Sequence, residues 1–218
     1  MNLKKVFGGV TVTVEAAGCS EQNLVDLLTG IEDAKIRDGG VFRYGPLLLR
    51  FRAAPDGALA VVSPEYREDA MAGAVTDLGP ALRACAAQTT LAVVTEAEED
   101  VAPFDYWVTI YAGPMAGATF FRVLRNGPRD DETRHTGWLV VCGRTPDNFR
   151  RACGEADDDA AFDEGKCRLI LTGSLLRTRP ALLRVMSLPA GWSGVCHGDC
   201  LERLWNPDGE EVLQGRAI

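Results

Sequence analysis

No apolar run in this 218-residue chain approaches the roughly eighteen residues of a membrane span, which excludes a helical membrane protein as the reading of its hydropathy. Neither G-x-G-x-x-G nor G-x-x-x-x-G-K-[ST] occurs, so the two common phosphate cradles are missing. Histidine is scarce, with only His135 and His197, which leaves little material for imidazole chemistry or for a metal centre. There is no internal repeat and no low-complexity tract. Lysine is absent between Glu96 and Glu164, although that stretch holds fifteen acids and seven arginines.

That last absence points to the main feature present. The formal net charge is −8, and the segment 96–164 carries all of it, because the two flanks nearly cancel. A localised negative field steers a chain toward a basic partner and repels nucleic acid and anionic membrane. A hydrophobic fraction of 46% with 25% charged residues is ordinary globular composition, enough to bury a core. The length suits one elaborated domain or two small ones.

The N-terminus resembles an export signal. Lys4 and Lys5 precede Val6–Val10, and Ala16-Ala17-Gly18-Cys19 has the look of a lipoprotein cleavage site. Glu15 and Gly8-Gly9 interrupt the apolar stretch, however, and Val10, Val12 and Val14 alternate with Thr11, Thr13 and Glu15. Period two is a half-buried strand, so an unprocessed, cytoplasmic chain is expected. Its seven cysteines are odd in number and scattered, and are expected to be free thiols.

Ser20 is placed to cap a helix carrying Leu24, Leu27, Leu28 and Ile31. Strands are expected at 41–44, 47–52 and 59–63, the last two joined by Pro55-Asp56-Gly57, then a helix over 65–87 broken near Gly79-Pro80, and a buried strand at 90–95. The acidic residues 96–100 mark a boundary. Beyond it, 106–112 and 118–124 are expected to pair as a hairpin, followed by a charged loop at 126–136, a strand at 137–142 and a short helix at 146–152. A strand at 167–172, a helix at 180–186, a turn over 188–194 and a closing hairpin of 201–205 with 211–213 complete the chain. The expected fold is α+β, with mostly antiparallel sheets, a few short helices and two subdomains of similar size, residues 1–98 and 99–218.

The candidate chemistry is thin. Cys196, His197 and Cys200 form a metal-like cluster, but a tetrahedral site lacks its second paired half, and an incidental loop is the better reading. Gly191-Trp192-Ser193-Gly194-Val195 lacks the closing glycine of a nucleophile elbow. A thiol enzyme would need His135 brought to a cysteine by folding. The run 155–164 is the sharpest feature: Glu155, Asp157, Asp158, Asp159, Asp163 and Glu164 surround Phe162, an apolar anchor of the kind that makes steering specific. It fails the calcium-loop pattern, because its aspartates are consecutive and no spaced glycine and glutamate follow. Trp138 is either an aromatic neighbour in the same contact or a core residue.

From about Phe104 onward, several segments follow one another in a recognisable order. Arg125-Asn126-Gly127-Pro128 leads to Asp130-Asp131-Glu132, and Thr136-Gly137-Trp138 opens a strand. Pro180-Ala181-Leu182-Leu183, Pro189-Ala190-Gly191, Leu201-Glu202-Arg203 and Asn206-Pro207-Asp208-Gly209 come after. This order resembles the Imm33-like family of bacterial immunity proteins, with threonine in place of serine before Gly137 and leucine in place of phenylalanine at 201. The resemblance covers about half the chain. It implies a non-catalytic cytosolic antidote, without cofactor, that blocks a secreted bacterial toxin domain, and the acidic run is the expected contact for a basic toxin, a nuclease among them. Monomer and homodimer are both open. The rival readings are a secretion-system adaptor and a hydrolase of unrecognised type.

Overall fold

The computed structural model describes residues 1–31, 36–66, 73–113, 115–125 and 127–214. The chain opens with β1 (Asn2–Phe7) and β2 (Val10–Glu15), an antiparallel hairpin turned at Gly8-Gly9. β1 hides in the signal-like region because four of its six residues are exposed, with only Leu3 and Phe7 partly buried against the core, whereas Val12 and Val14 of β2 are fully buried. Helix α1 (Glu21–Thr29) follows a capping box in which Ser20 accepts the Asn23 N–H and the Asn23 side chain returns the bond. It buries Leu24, Leu27 and Leu28.

Strands β3 (Val41–Tyr44), β4 (Leu47–Ala53), β5 (Leu59–Pro64) and β6 (Ala74–Val75) complete the first sheet, ordered β1-β2-β5-β4-β3 with β6 on β5. Within this sheet, among the described residues, β2 and β5 are the one pair of named strands that run parallel. The expected helix over 65–87 falls partly outside the described residues. Its later part belongs to α2 (Gly79–Val94), which begins where a break was expected because Pro80 suits a first turn.

The strand expected at 90–95 is instead the last part of α2. Its β-branched residues favour a strand locally, but the Thr90 hydroxyl donates to the Ala86 carbonyl, and Thr95 at the cap donates likewise to Leu91. Leu91 and Ala92 meanwhile face the core.

The second sheet has seven strands: β7 (Trp107–Tyr111), β8 (Phe120–Arg125), β9 (His135–Gly143), β10 (Cys167–Leu171), β11 (Ser193–His197), β12 (Cys200–Trp205) and β13 (Glu211–Gln214), ordered β10-β7-β9-β8-β11-β12-β13. The expected hairpin of β7 with β8 does not form. β9 lies between them, parallel to β7 and antiparallel to β8. The turn expected over 188–194 is present as far as residue 192, and its last two residues open β11, which makes a hairpin with β12.

Three helices flank this sheet: α3 (Pro146–Asp157), α4 (Leu175–Thr178) and α5 (Pro180–Val185). α3 outruns its expected end by a turn, passing through Gly154 at a helix cost of about 1 kcal/mol, because Ala152, Cys153 and Ala156 pack on the sheet. Among the described residues, no helix is long and apolar enough to cross a membrane.

The fold is therefore α+β, each sheet drawn from one half of the chain, but the core runs continuously through both. Arg43 of β3 makes a bidentate pair with Asp105 at 2.8 and 3.0 Å, and Asp105 is only 5% exposed. That bond raises the Arg43 pKa above its ordinary value, against the opposing effect of burial. Gln88 of α2 donates to the Leu183 carbonyl of α5 at 2.8 Å. The Tyr66 ring lies over Gly173, where a Cβ would fall 2.4 Å from it, and meets Phe104 edge-on at 6.0 Å.

Candidate functional site

The acidic run divides in two. Helix α3 starts correctly for its dipole, with Thr145 Oγ1 accepting the Asn148 N–H and Asp147 in the first turn. Its last turn carries Glu155 and Asp157, where negative charge opposes the helix dipole. Cations from neighbouring elements answer both. Lys166 reaches Glu155 at 2.7 Å and the Tyr111 hydroxyl donates to the same oxygen at 3.2 Å, so Glu155 is held below the usual carboxylate range, chiefly by Lys166. Arg122 pairs with Asp157 at 2.5 Å. Two of the expected contact acids are thus neutralised from within.

The remaining four shape a loop. Asp158 accepts the Ala160 N–H at 3.0 Å, and Asp163 accepts the Gly165 N–H at 2.9 Å, capping a short 3-10 turn at Glu164–Lys166. Asp158, Asp159, Asp163 and Glu164 are exposed and make no ion pair among the described residues. Phe162 is not the free anchor expected. It is half-buried and stacks on Tyr111 at 4.9 Å between ring centroids, tying the loop to the sheet.

Trp138 corrects a second expectation. Its side chain is 0% exposed, so it presents no surface to a partner. Two of the segments behind the family resemblance, Arg125–Pro128 and Thr136–Trp138, meet around it. Gly137 has φ +76°, and a Cβ there would lie 2.3 Å from the Gly127 carbonyl oxygen, so the glycine admits the neighbouring loop. Arg125 lies over the Trp138 ring at 5.8 Å and is held by Asp100 and the Leu188 carbonyl. Asn126 of the same motif lies outside the described residues. These residues therefore build the core of the second sheet.

Leu169, not singled out by the sequence, also stands beside the loop. It sits on β10, which among the described residues pairs with β7 alone and so forms a sheet edge, and it is 57% exposed. With Thr109, Phe162, Glu164, Cys167 and Arg168 it lines a shallow cleft of about 390 Å³ directly beside the acidic loop. Its signal was ambiguous, because an apolar residue inside a strand is ordinarily taken as core.

The other candidate chemistries are dispersed. Cys196 is buried in β11, His197 stacks on Phe120 at 4.7 Å and meets Glu202 at 3.5 Å, and Cys200 is exposed at the turn. Among the described residues no group of three or more His, Cys, Asp or Glu side chains could hold a metal. Burial pushes the Cys85, Cys142 and Cys196 thiols up to about 12, away from the thiolate that a nucleophile needs.

His135 bonds to Thr109 Oγ1 through Nε2 at 2.9 Å, and its Nδ1 accepts the Gly137 N–H at 3.0 Å. The ring is therefore neutral with its proton on Nε2. Burial lowers its pKa, against a smaller upward pull from Asp130. On acidification the unfolded chain takes up the proton first. The resulting stabilisation is complete above about pH 6.5 and is lost as pH falls through the depressed folded value. His135→Asn is expected to flatten this part of the stability profile in urea titrations. An equally steep profile in the variant would assign the slope to other groups.

Neither a protein-family model, nor a curated protein, nor a solved structure matches this chain.

Proposed function

We propose that this chain is a non-catalytic binding protein of the immunity type, acting in the cytoplasm, as a monomer or homodimer. It would block a basic toxin domain through the loop Asp158–Glu164 and the adjoining edge of β10. One observation carries this reading: four exposed carboxylates that form no ion pair among the described residues stand at the head of a sheet edge bearing an exposed leucine. The carboxylates and the C-terminal end of α3 supply a negative field for steering. Leu169 supplies apolar area, and the free backbone of β10 supplies donors and acceptors for an added strand. The order of segments shared with Imm33-like proteins supports the immunity assignment over a secretion adaptor. The dispersal of His135 and His197 away from thiols favours binding over hydrolysis.

The test is growth rescue on co-expression with the toxic product of the adjacent gene, together with association kinetics. Asp158→Asn, Asp159→Asn, Asp163→Asn and Glu164→Gln combined remove the charge, while asparagine at 158 and 163 can still accept the turn hydrogen bonds. Association is expected to slow by about tenfold at low salt, with a weaker effect at high salt. Leu169→Ala should act mainly by speeding dissociation. Rescue and kinetics untouched by all of these changes would discard the acidic-loop surface. Binding without rescue would favour the adaptor.

A further inference from the structure

A second site of opposite sign lies at the carboxyl ends of β7 and β9. These parallel neighbours finish side by side, and β9 passes through Gly143-Arg144 into the first turn of α3. Between them opens a cleft of about 600 Å³, a volume in the range of small-molecule sites. Its rim carries Arg144, Arg151, Lys166 and Arg168 against a single acid, Glu155, which Lys166 already holds. Arg144, Arg151 and Arg168 are exposed and make no ion pair among the described residues. In a chain of net charge −8, whose other arginines include carboxylate-paired Arg122, Arg125, Arg129 and Arg150, three guanidinium groups in no ion pair among the described residues, one of them (Arg144) donating to the Ala116 carbonyl, make this concavity a local inversion of charge.

The rest of the cleft fits the same ligand. Small floor residues, Ala118, Ala152 and Gly143 among them, keep the space open. Gly143 is required there, because a Cβ would fall 2.5 Å from that of Phe149 and push α3 off the end of β9. The Asn148 side chain, from the first turn of α3, lines the wall where the helix dipole is positive. Among the described residues no aromatic ring lines the cleft to offer a stacking platform for a nucleobase. Guanidinium groups match phosphate oxygens in bidentate geometry.

We infer that the cleft at the carboxyl ends of β7 and β9 binds a small phosphomonoester, its phosphate held by Arg144, Arg151 and Arg168. The site is separate from the acidic-loop reading and stands if that reading fails. Its test is calorimetric titration of the full chain with glucose 6-phosphate, at an ionic strength fixed by potassium chloride. One saturable site is expected. Arg151→Gln with Arg168→Gln, which keep side-chain length at exposed positions, should weaken it at least about tenfold, whereas Arg52→Gln outside the cleft should leave it unchanged. An unaltered circular-dichroism melt establishes that the double variant is folded. Absence of saturable binding at millimolar concentration, or equal binding by the double variant, overturns the proposal. Tighter binding of a phosphoserine peptide than of glucose 6-phosphate overturns the small-molecule assignment.

Discussion

Truncating Trp138 to alanine is expected to lower unfolding stability by about 3–5 kcal/mol. The ring is fully enclosed on the core face of the second sheet, so its loss opens a cavity that surrounding strands cannot collapse into. Arg125, itself buried, would lose the aromatic face beneath its guanidinium. Two companion variants separate packing from surface contact. Trp138→Phe should cost less than alanine, because it keeps most of the volume and removes an indole N–H that has no hydrogen-bond partner among the described residues. Gly137→Ala should be destabilising without touching the ring, since it forces a side chain into a positive φ and against the Gly127 carbonyl. Urea unfolding measures all three. A loss below about 1 kcal/mol for Trp138→Ala would deny the ring its central place in the core.

The second large effect concerns the junction between the halves. Tyr66→Ala is expected to cost about 3–5 kcal/mol, by analogy with other buried aromatic truncations, and to destabilise both sheets together. Tyr66 comes from the first half, yet its ring packs on Gly173 and Phe104 of the second. Gly173→Ala attacks the same contact from the other side, with an overpacking cost of about 1–3 kcal/mol. All four tryptophans lie between residues 107 and 205, so fluorescence follows the second sheet, while amide exchange in β4 and β5 follows the first. Coincident transitions in the parent and in both variants are expected. Two separated transitions in the parent would show that the shared core does not couple the halves.

Much of the fold was legible wherever local pattern and tertiary role agree. Val10–Glu15 alternates and is a strand. Ser20 with its leucines is a capped helix, and Asn206–Gly209 turns the last hairpin as its residues demand. Failures came where distant partners decide. Thr90–Thr95 favours a strand by composition, but the chain stays helical there through Val94 because α5 packs against α2. The pairing of β7 and β8 was misjudged because alternation identifies a strand without naming its neighbour.

The site was legible to a lesser degree. Acidity along 155–164 is written in the residues, but the neutralisation of Glu155 and Asp157 depends on Lys166 and Arg122, and Arg122 comes from a different strand. The basic cleft left no continuous trace at all. Its arginines are spaced along the chain and meet only because β9, α3 and β10 bring them to one end of the sheet.

The insertion of β9 between β7 and β8 also constrains how the polypeptide can be born. Residues 107–125 emerge from the ribosome ahead of 135–143, an interval of about one to several seconds at ordinary elongation rates. A hairpin between adjacent strands closes in about 1–10 μs, so the wrong partnership has ample time to form. Nascent chains must therefore undo that early embrace, or be kept from it, before the late-arriving strand can take its central slot.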